Sequence, residues 1–141
     1  MKMRKTIMLA LSVVILLTLA ACSNIDEGPE ESAFHGMDHL THYNGLRKYD
    51  QKDTMYLIYV YSVTCPACTD IIPDVLEFIE THGDEIPIVF DHGAGGQPPV
   101  NVTHVPTFIV MKAGEVLDGP IVGPQPIREL FEDIEEGVYN P

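Results

Sequence analysis

Tryptophan is absent from this 141-residue chain, cysteine occurs only three times, and 8 basic side chains stand against 21 acidic ones, for a formal net charge of −13. Each scarcity excludes something. With so few cations there is no basic stripe to neutralise a phosphate backbone, so charge would not recruit nucleic acid or anionic lipid headgroups. Three cysteines cannot build a disulfide framework. The apolar run at residues 7–20 is shorter than the roughly 20 residues a helix needs to cross a bilayer comfortably. No internal repeat and no second domain are visible.

What is present begins with Lys2, Arg4 and Lys5 ahead of that apolar run, the layout of an N-terminal processing signal over residues 1–21. Leu19-Ala20-Ala21-Cys22 closes the run and resembles the bacterial lipobox, which implies cleavage before Cys22 and lipidation of its new N-terminus. The alternatives are an uncleaved anchor or an ordinary secretory signal, and all of these place the remainder outside the cytoplasm. Removing the three leading cations would take the net charge to −16, so attachment to a membrane would rest on the acyl chains. Residues 22–33 are polar and acidic, with Gly28 and Pro29, and read as a flexible tether. Residues 34–141 are enough for a single core.

Within that domain, Thr64-Cys65-Pro66-Ala67-Cys68 follows the apolar run of residues 56–61 and precedes an amphipathic stretch through Ile71, Ile72, Val75, Phe78 and Ile79. The spacing predicts a strand that hands over to a helix at the first cysteine. A helix start presents unpaired N–H groups and partial positive charge, which favours a thiolate at Cys65 and makes it the expected nucleophile. Pro66 suits the first helical turn. Cys68 lies one turn inward and can close a small disulfide with Cys65. Such a bridge spans too short a loop to restrain much of the unfolded chain, so a redox role explains it better than a structural one.

A Cys-x-x-Cys that opens a helix after an apolar strand resembles the thioredoxin superfamily, and three further landmarks follow in the family's order. Pro73 stands eight residues after Cys65, Val105-Pro106-Thr107 resembles the cis-proline segment, and residues 112–116 resemble the last hairpin, followed by Gly123 and a terminal amphipathic helix. The likeness covers residues 38–137. It implies an α/β thioredoxin-like fold, a central mixed β-sheet flanked by helices. It also implies catalytic Cys65 and Cys68, a substrate-facing rim of Thr64, Pro66, Ala67, Val105 and Pro106, and no cofactor or metal beyond the Cys65–Cys68 redox couple.

The chain departs from the family in two places. Thr64 stands where thioredoxins carry tryptophan, and Tyr59 stands where many relatives bury a carboxylate that accepts the proton of Cys68. A tyrosine with an ordinary pKa near 10 is a poor base at neutral pH. Pro66 and Ala67 bring no positive charge, unlike the histidine of strongly oxidising relatives. The reading is therefore a membrane-anchored extracytoplasmic thiol–disulfide oxidoreductase, a reductant rather than an oxidant. It would act on protein thiols and disulfides and be reset by a membrane redox partner, as a monomer. Its rival is a non-enzymatic lipoprotein that uses the fold to bind a partner or assist export, and copper delivery through the cysteines and His104 ranks last.

Three expectations concern the flanks. Leu40, Tyr43 and Leu46 have helix-like spacing and predict a helical N-terminal cap over residues 34–50, on which His35, His39 and His42 would share a face if the helix began early; Gly36 argues against so early a start. Residues 91–104, rich in Gly and Pro, predict a short or missing helix. Ile127, Leu130, Phe131 and Ile134 predict a terminal helix with one buried stripe, with Pro126 in its first turn and Gly137 at its end.

Overall fold

A computed structural model describes residues 33–40, 53–93 and 96–141. The processing signal, Cys22, the tether up to residue 32, and His42, Tyr43 and Leu46 lie outside the described residues. The apolar run forms strand β1 (Met55–Val60), the Cys-x-x-Cys stretch forms α1 (Pro66–Asp70), and α2 (Ile72–His82) continues from it. Strands β2 (Ile88–Asp91), β3 (Thr107–Lys112) and β4 (Glu115–Val122) follow, and helix α3 (Pro124–Glu135) closes the chain.

The four strands make one mixed sheet in the order β2-β1-β3-β4. Strand β2 runs parallel to β1, with Tyr59 opposite Phe90 and Val60 opposite Asp91, whereas β3 is antiparallel to both β1 and β4. Interior position explains why β1 is apolar without alternation: both of its faces are covered. Leu57 and Tyr59 enter the core shared with Cys68, Val75, Phe78 and Phe131, while Tyr56, Ile58 and Val60 enter a second core with Val89, Ile109 and Met111. The period of two along a strand thus divides the molecule into a helix-covered cysteine side and an opposite side.

The helix after Cys65 is interrupted at Ile71, and Pro73, at the position of the family's helix-kinking proline, lies in the first turn of α2. Lacking an N–H, Pro73 cannot continue the hydrogen-bond ladder of α1. In α3 the predicted stripe packs inward, with Ile127, Leu130 and Phe131 buried. Phe131 stacks on Phe78 at 4.5 Å and meets Phe108 edge-on at 5.3 Å. The helix begins at Pro124, two residues before Pro126, because Gly123 at φ 92° turns the chain out of β4.

The hairpin expected at residues 112–116 turns at Ala113-Gly114, both with positive φ (51° and 81°), as a two-residue type I′ turn requires. No helix occurs among the described residues of 91–104. The helical cap is a correction at its start. Residues 38–40 are extended along β2, with the Leu40 N–H donating to the Phe90 carbonyl (2.6 Å) and the Phe90 N–H to the Asp38 carbonyl (2.9 Å). The edge of β2 would otherwise leave those groups unpaired, and that demand outweighs the helical spacing. His35 and His39 consequently do not share a helical face.

Candidate functional site

Cys65 occupies the cap position of α1 in extended conformation, and its sulfur accepts the Cys68 N–H at 3.2 Å. The Cys65 carbonyl takes the Cys68 and Thr69 N–H groups at 3.0 and 3.1 Å, which fixes the turn around the sulfur. Because α1 is a single short turn broken at Ile71, the local N–H matters more here than a long aligned helix dipole would. Pro66 is exposed at the first helical position, Ala67 is half-buried, and Thr64 is exposed with its hydroxyl 3.1 Å from that of Ser62.

Across from the cysteines, the Val105–Pro106 peptide is cis, and the Cys65 thiol donates to the Val105 carbonyl at 3.5 Å. Two hydrogen bonds hold this segment in place: Gly123 N–H to the Pro106 carbonyl (2.9 Å) and Thr107 hydroxyl to the His104 carbonyl (2.7 Å). The fold therefore brings Cys65, Cys68 and Val105 into one site, with Pro106 buried beneath the rim and Thr64 and Pro66 exposed around it. His104 is exposed and bonds to Thr103 at 2.9 Å.

The two thiols are free and unequal. Cys65 is half-buried, whereas Cys68 is only 2% exposed. Burial, and then the hydrogen bond with Cys65, push the Cys68 thiol up to about 12, opposed by the Ser62 backbone and the Tyr59 hydroxyl. Tyr59 lies on the same side of the sheet and is fully buried. Its ring stacks on Phe108 at 4.6 Å and on Tyr61 at 5.3 Å. Its hydroxyl makes no hydrogen bond of ordinary geometry. Desolvation first, then the Cys68 and Cys65 charges, hold the phenol far above its ordinary range, so it keeps its proton.

Three residues escaped the sequence reading. Ser62 supports the turn before Cys65, accepting the Cys65 N–H at its carbonyl (3.1 Å). Arg128 on α3 ties the two halves of the cysteine helix, reaching Asp74 at 2.8 Å and Asp70 at 3.1 Å. Asp91 is fully buried; one carboxylate oxygen accepts the Gly93 N–H at 2.9 Å and the other has no partner. The signal for Asp91 was an acid ending an apolar strand just before His-Gly, where a side chain can cap its own turn. It lines a cavity of about 270 Å³ with Val60, Val102, His104 and Val105. Since it pairs with Val60 rather than Tyr59, it faces away from Cys68.

No family model matches the chain. Among solved structures, it is similar to mitochondrial thioredoxin 3 of Saccharomyces cerevisiae in its oxidised form, at 22% identity and a TM-score of 0.58 over 75% of this chain and 96% of that one. Thioredoxin of Malassezia sympodialis is similar at 20% identity and a TM-score of 0.61, covering 74% and 92%. Thioredoxin of Trypanosoma brucei brucei is similar at 18% identity and a TM-score of 0.58, covering 76% and 95%. Likeness at these identities is likeness of fold: this chain has the thioredoxin fold, with its Cys65–Cys68 pair at the start of a helix.

Proposed function

We propose that the protein is a thiol–disulfide oxidoreductase held outside the cytoplasm by lipid on Cys22, acting on protein disulfides in the reductive direction as a monomer. The observation that carries this reading is the asymmetry of the thiols: a half-buried Cys65 facing the Val105 carbonyl, with a buried Cys68 directly behind it. Cys65 attacks a substrate disulfide and forms a mixed disulfide. Cys68 then attacks the Cys65 sulfur, releasing the reduced substrate and closing the internal bridge. Thr64, Pro66, Ala67, Val105 and Pro106 form the rim that a substrate segment would meet, with the Val105 backbone available to pair with an extended strand. A membrane redox partner would return the pair to dithiol, and no cofactor beyond the couple is needed.

The direction rests on chemistry around the couple. Neither Pro66 nor Ala67 is cationic, and the two permanent cations among the described residues are engaged elsewhere, Arg128 with Asp70 and Asp74 and Lys112 with Asp53. Equilibration against glutathione and dithiothreitol buffers gives the potential. A value near −270 mV, as in thioredoxin, is expected, and one near −120 mV reverses the direction. Cys65→Ser is expected to abolish exchange while the fold persists; retained exchange in that variant would sink the mechanism.

A further inference from the structure

Among the described residues, the Tyr59 hydroxyl is the one buried side-chain polar atom on the cysteine side of the sheet without a hydrogen bond of ordinary geometry. Its ring has no freedom: Phe108 and Tyr61 stack on it, and Phe34 and Phe90 meet it edge-on at 5.9 and 6.0 Å. Only the O–H bond can rotate. With both cysteines as thiols that hydroxyl makes no hydrogen bond of ordinary geometry, and an unsatisfied buried donor costs about 1–3 kcal/mol. Phenylalanine would fill the same space without that cost. The hydroxyl would find its acceptor in another state of the site: Tyr59 shares one core with Cys68 and Cys65, and these, ahead of Tyr61, are the charges it feels most. Because it retains its own proton, it can donate to a sulfur that has lost one.

We infer that the Tyr59 hydroxyl donates a hydrogen bond to the Cys68 sulfur as that sulfur becomes a thiolate to resolve the mixed disulfide. The inference rests on the exchange reading above and gives Tyr59 a role opposite to that of a proton-accepting carboxylate at the same position. In the dithiol, Cys68 bonds to Cys65, which opposes its ionisation. Once Cys65 is bonded to substrate, that interaction is lost. Cys68 gives up its proton, its sulfur attacks Cys65 Sγ, the Cys65–substrate S–S bond breaks, and the proton ends on the departing substrate thiolate. One S–S bond forms and one breaks; the cysteine pair is oxidised by two electrons and the substrate sulfur reduced. Tyr59 keeps its proton throughout.

The test is stopped-flow reaction of the reduced full chain, in mild detergent, with one equivalent of the chromogenic disulfide dithiobis(nitrobenzoate). Attack by Cys65 releases the first nitrothiobenzoate and attack by Cys68 the second; Cys68→Ser, which stops after one, calibrates the phases. Tyr59→Phe is expected to leave the first phase unchanged and slow the second roughly tenfold or more, as loss of a hydrogen bond to a charged group implies. The pH profile of the second phase should move to higher pH, while thermal stability of the dithiol form stays equal or rises. An unchanged second phase and profile would overturn the inference, as would equal slowing of both phases. If the wild-type chain released only one equivalent, the exchange reading itself would fall, and this inference with it.

Discussion

Raising the pH should destabilise the reduced protein through Cys68 in particular. The Cys68 thiol is held up to about 12 in the fold, against an ordinary value of 9.0, so from pH 9 upward the folded state binds a proton that the unfolded chain has released. Where the native state binds more protons, stability falls as pH rises. The contribution is fully present below about pH 9 and is lost progressively towards pH 12, at no more than about 1.4 kcal/mol per pH unit. Between pH 8 and pH 10.5 the reduced protein should lose about 2 kcal/mol from this group. Tyrosines and lysines titrate in the same window, so the informative quantity is the difference between wild type and Cys68→Ala, each unfolded in urea with a phosphine reductant on a soluble fragment beginning at Ala33. The wild-type chain should show the steeper decline, and air oxidation to the Cys65–Cys68 disulfide should remove the excess slope. Equal slopes in wild type and Cys68→Ala would refute the claim that burial keeps this thiol protonated.

Two packing substitutions follow from the same framework. Phe131→Ala removes the ring that joins α3 to Phe78 and Phe108, and should cost about 3–5 kcal/mol in urea unfolding; a loss under 1 kcal/mol on this scale would mean that α3 is not docked as described. Gly96→Ala would place a methyl group onto the Asp91 carboxylate, which the Gly93 N–H holds in place. About 1–3 kcal/mol of destabilisation is expected from that overpacking, measured by the same unfolding curve, and a neutral result would show that Asp91 can swing aside.

What could be read from the chain was local. The strand-to-helix handover at Cys65 needs only an apolar run, a proline at the first helical turn and an amphipathic continuation, all contiguous. Ile127, Leu130 and Phe131 declare their face by spacing alone, and Ala113-Gly114 marks its turn by position between two strands. Residues 38–40 could not be read that way. Their pairing with Phe90 answers the needs of a strand fifty residues downstream in the chain, and the apolar spacing around Leu40 carries no trace of it. Asp91 was hidden for a related reason: an acid at a strand end is ordinarily solvated, and only the approach of Gly96 and the valines of the following loop encloses it. Tyr59 was legible as a poor base, but its missing hydrogen-bond partner follows from the packing of four rings around it.

These two buried polar groups bear on the direction of the chemistry. Asp91 is the one fully buried carboxylate among the described residues, and its pairing with Val60 sets it on the face away from Cys68. The cysteine side therefore holds a buried thiol that resists ionisation and a phenol that holds its proton, with no carboxylate buried beside them. A couple becomes strongly oxidising when its reduced form is stabilised, usually by charge that favours a thiolate. Here burial penalises the Cys68 thiolate, so the reduced form lacks that stabilisation. The proposed reductive direction needs that stabilisation to be missing, since its absence leaves the dithiol free to give up its electrons.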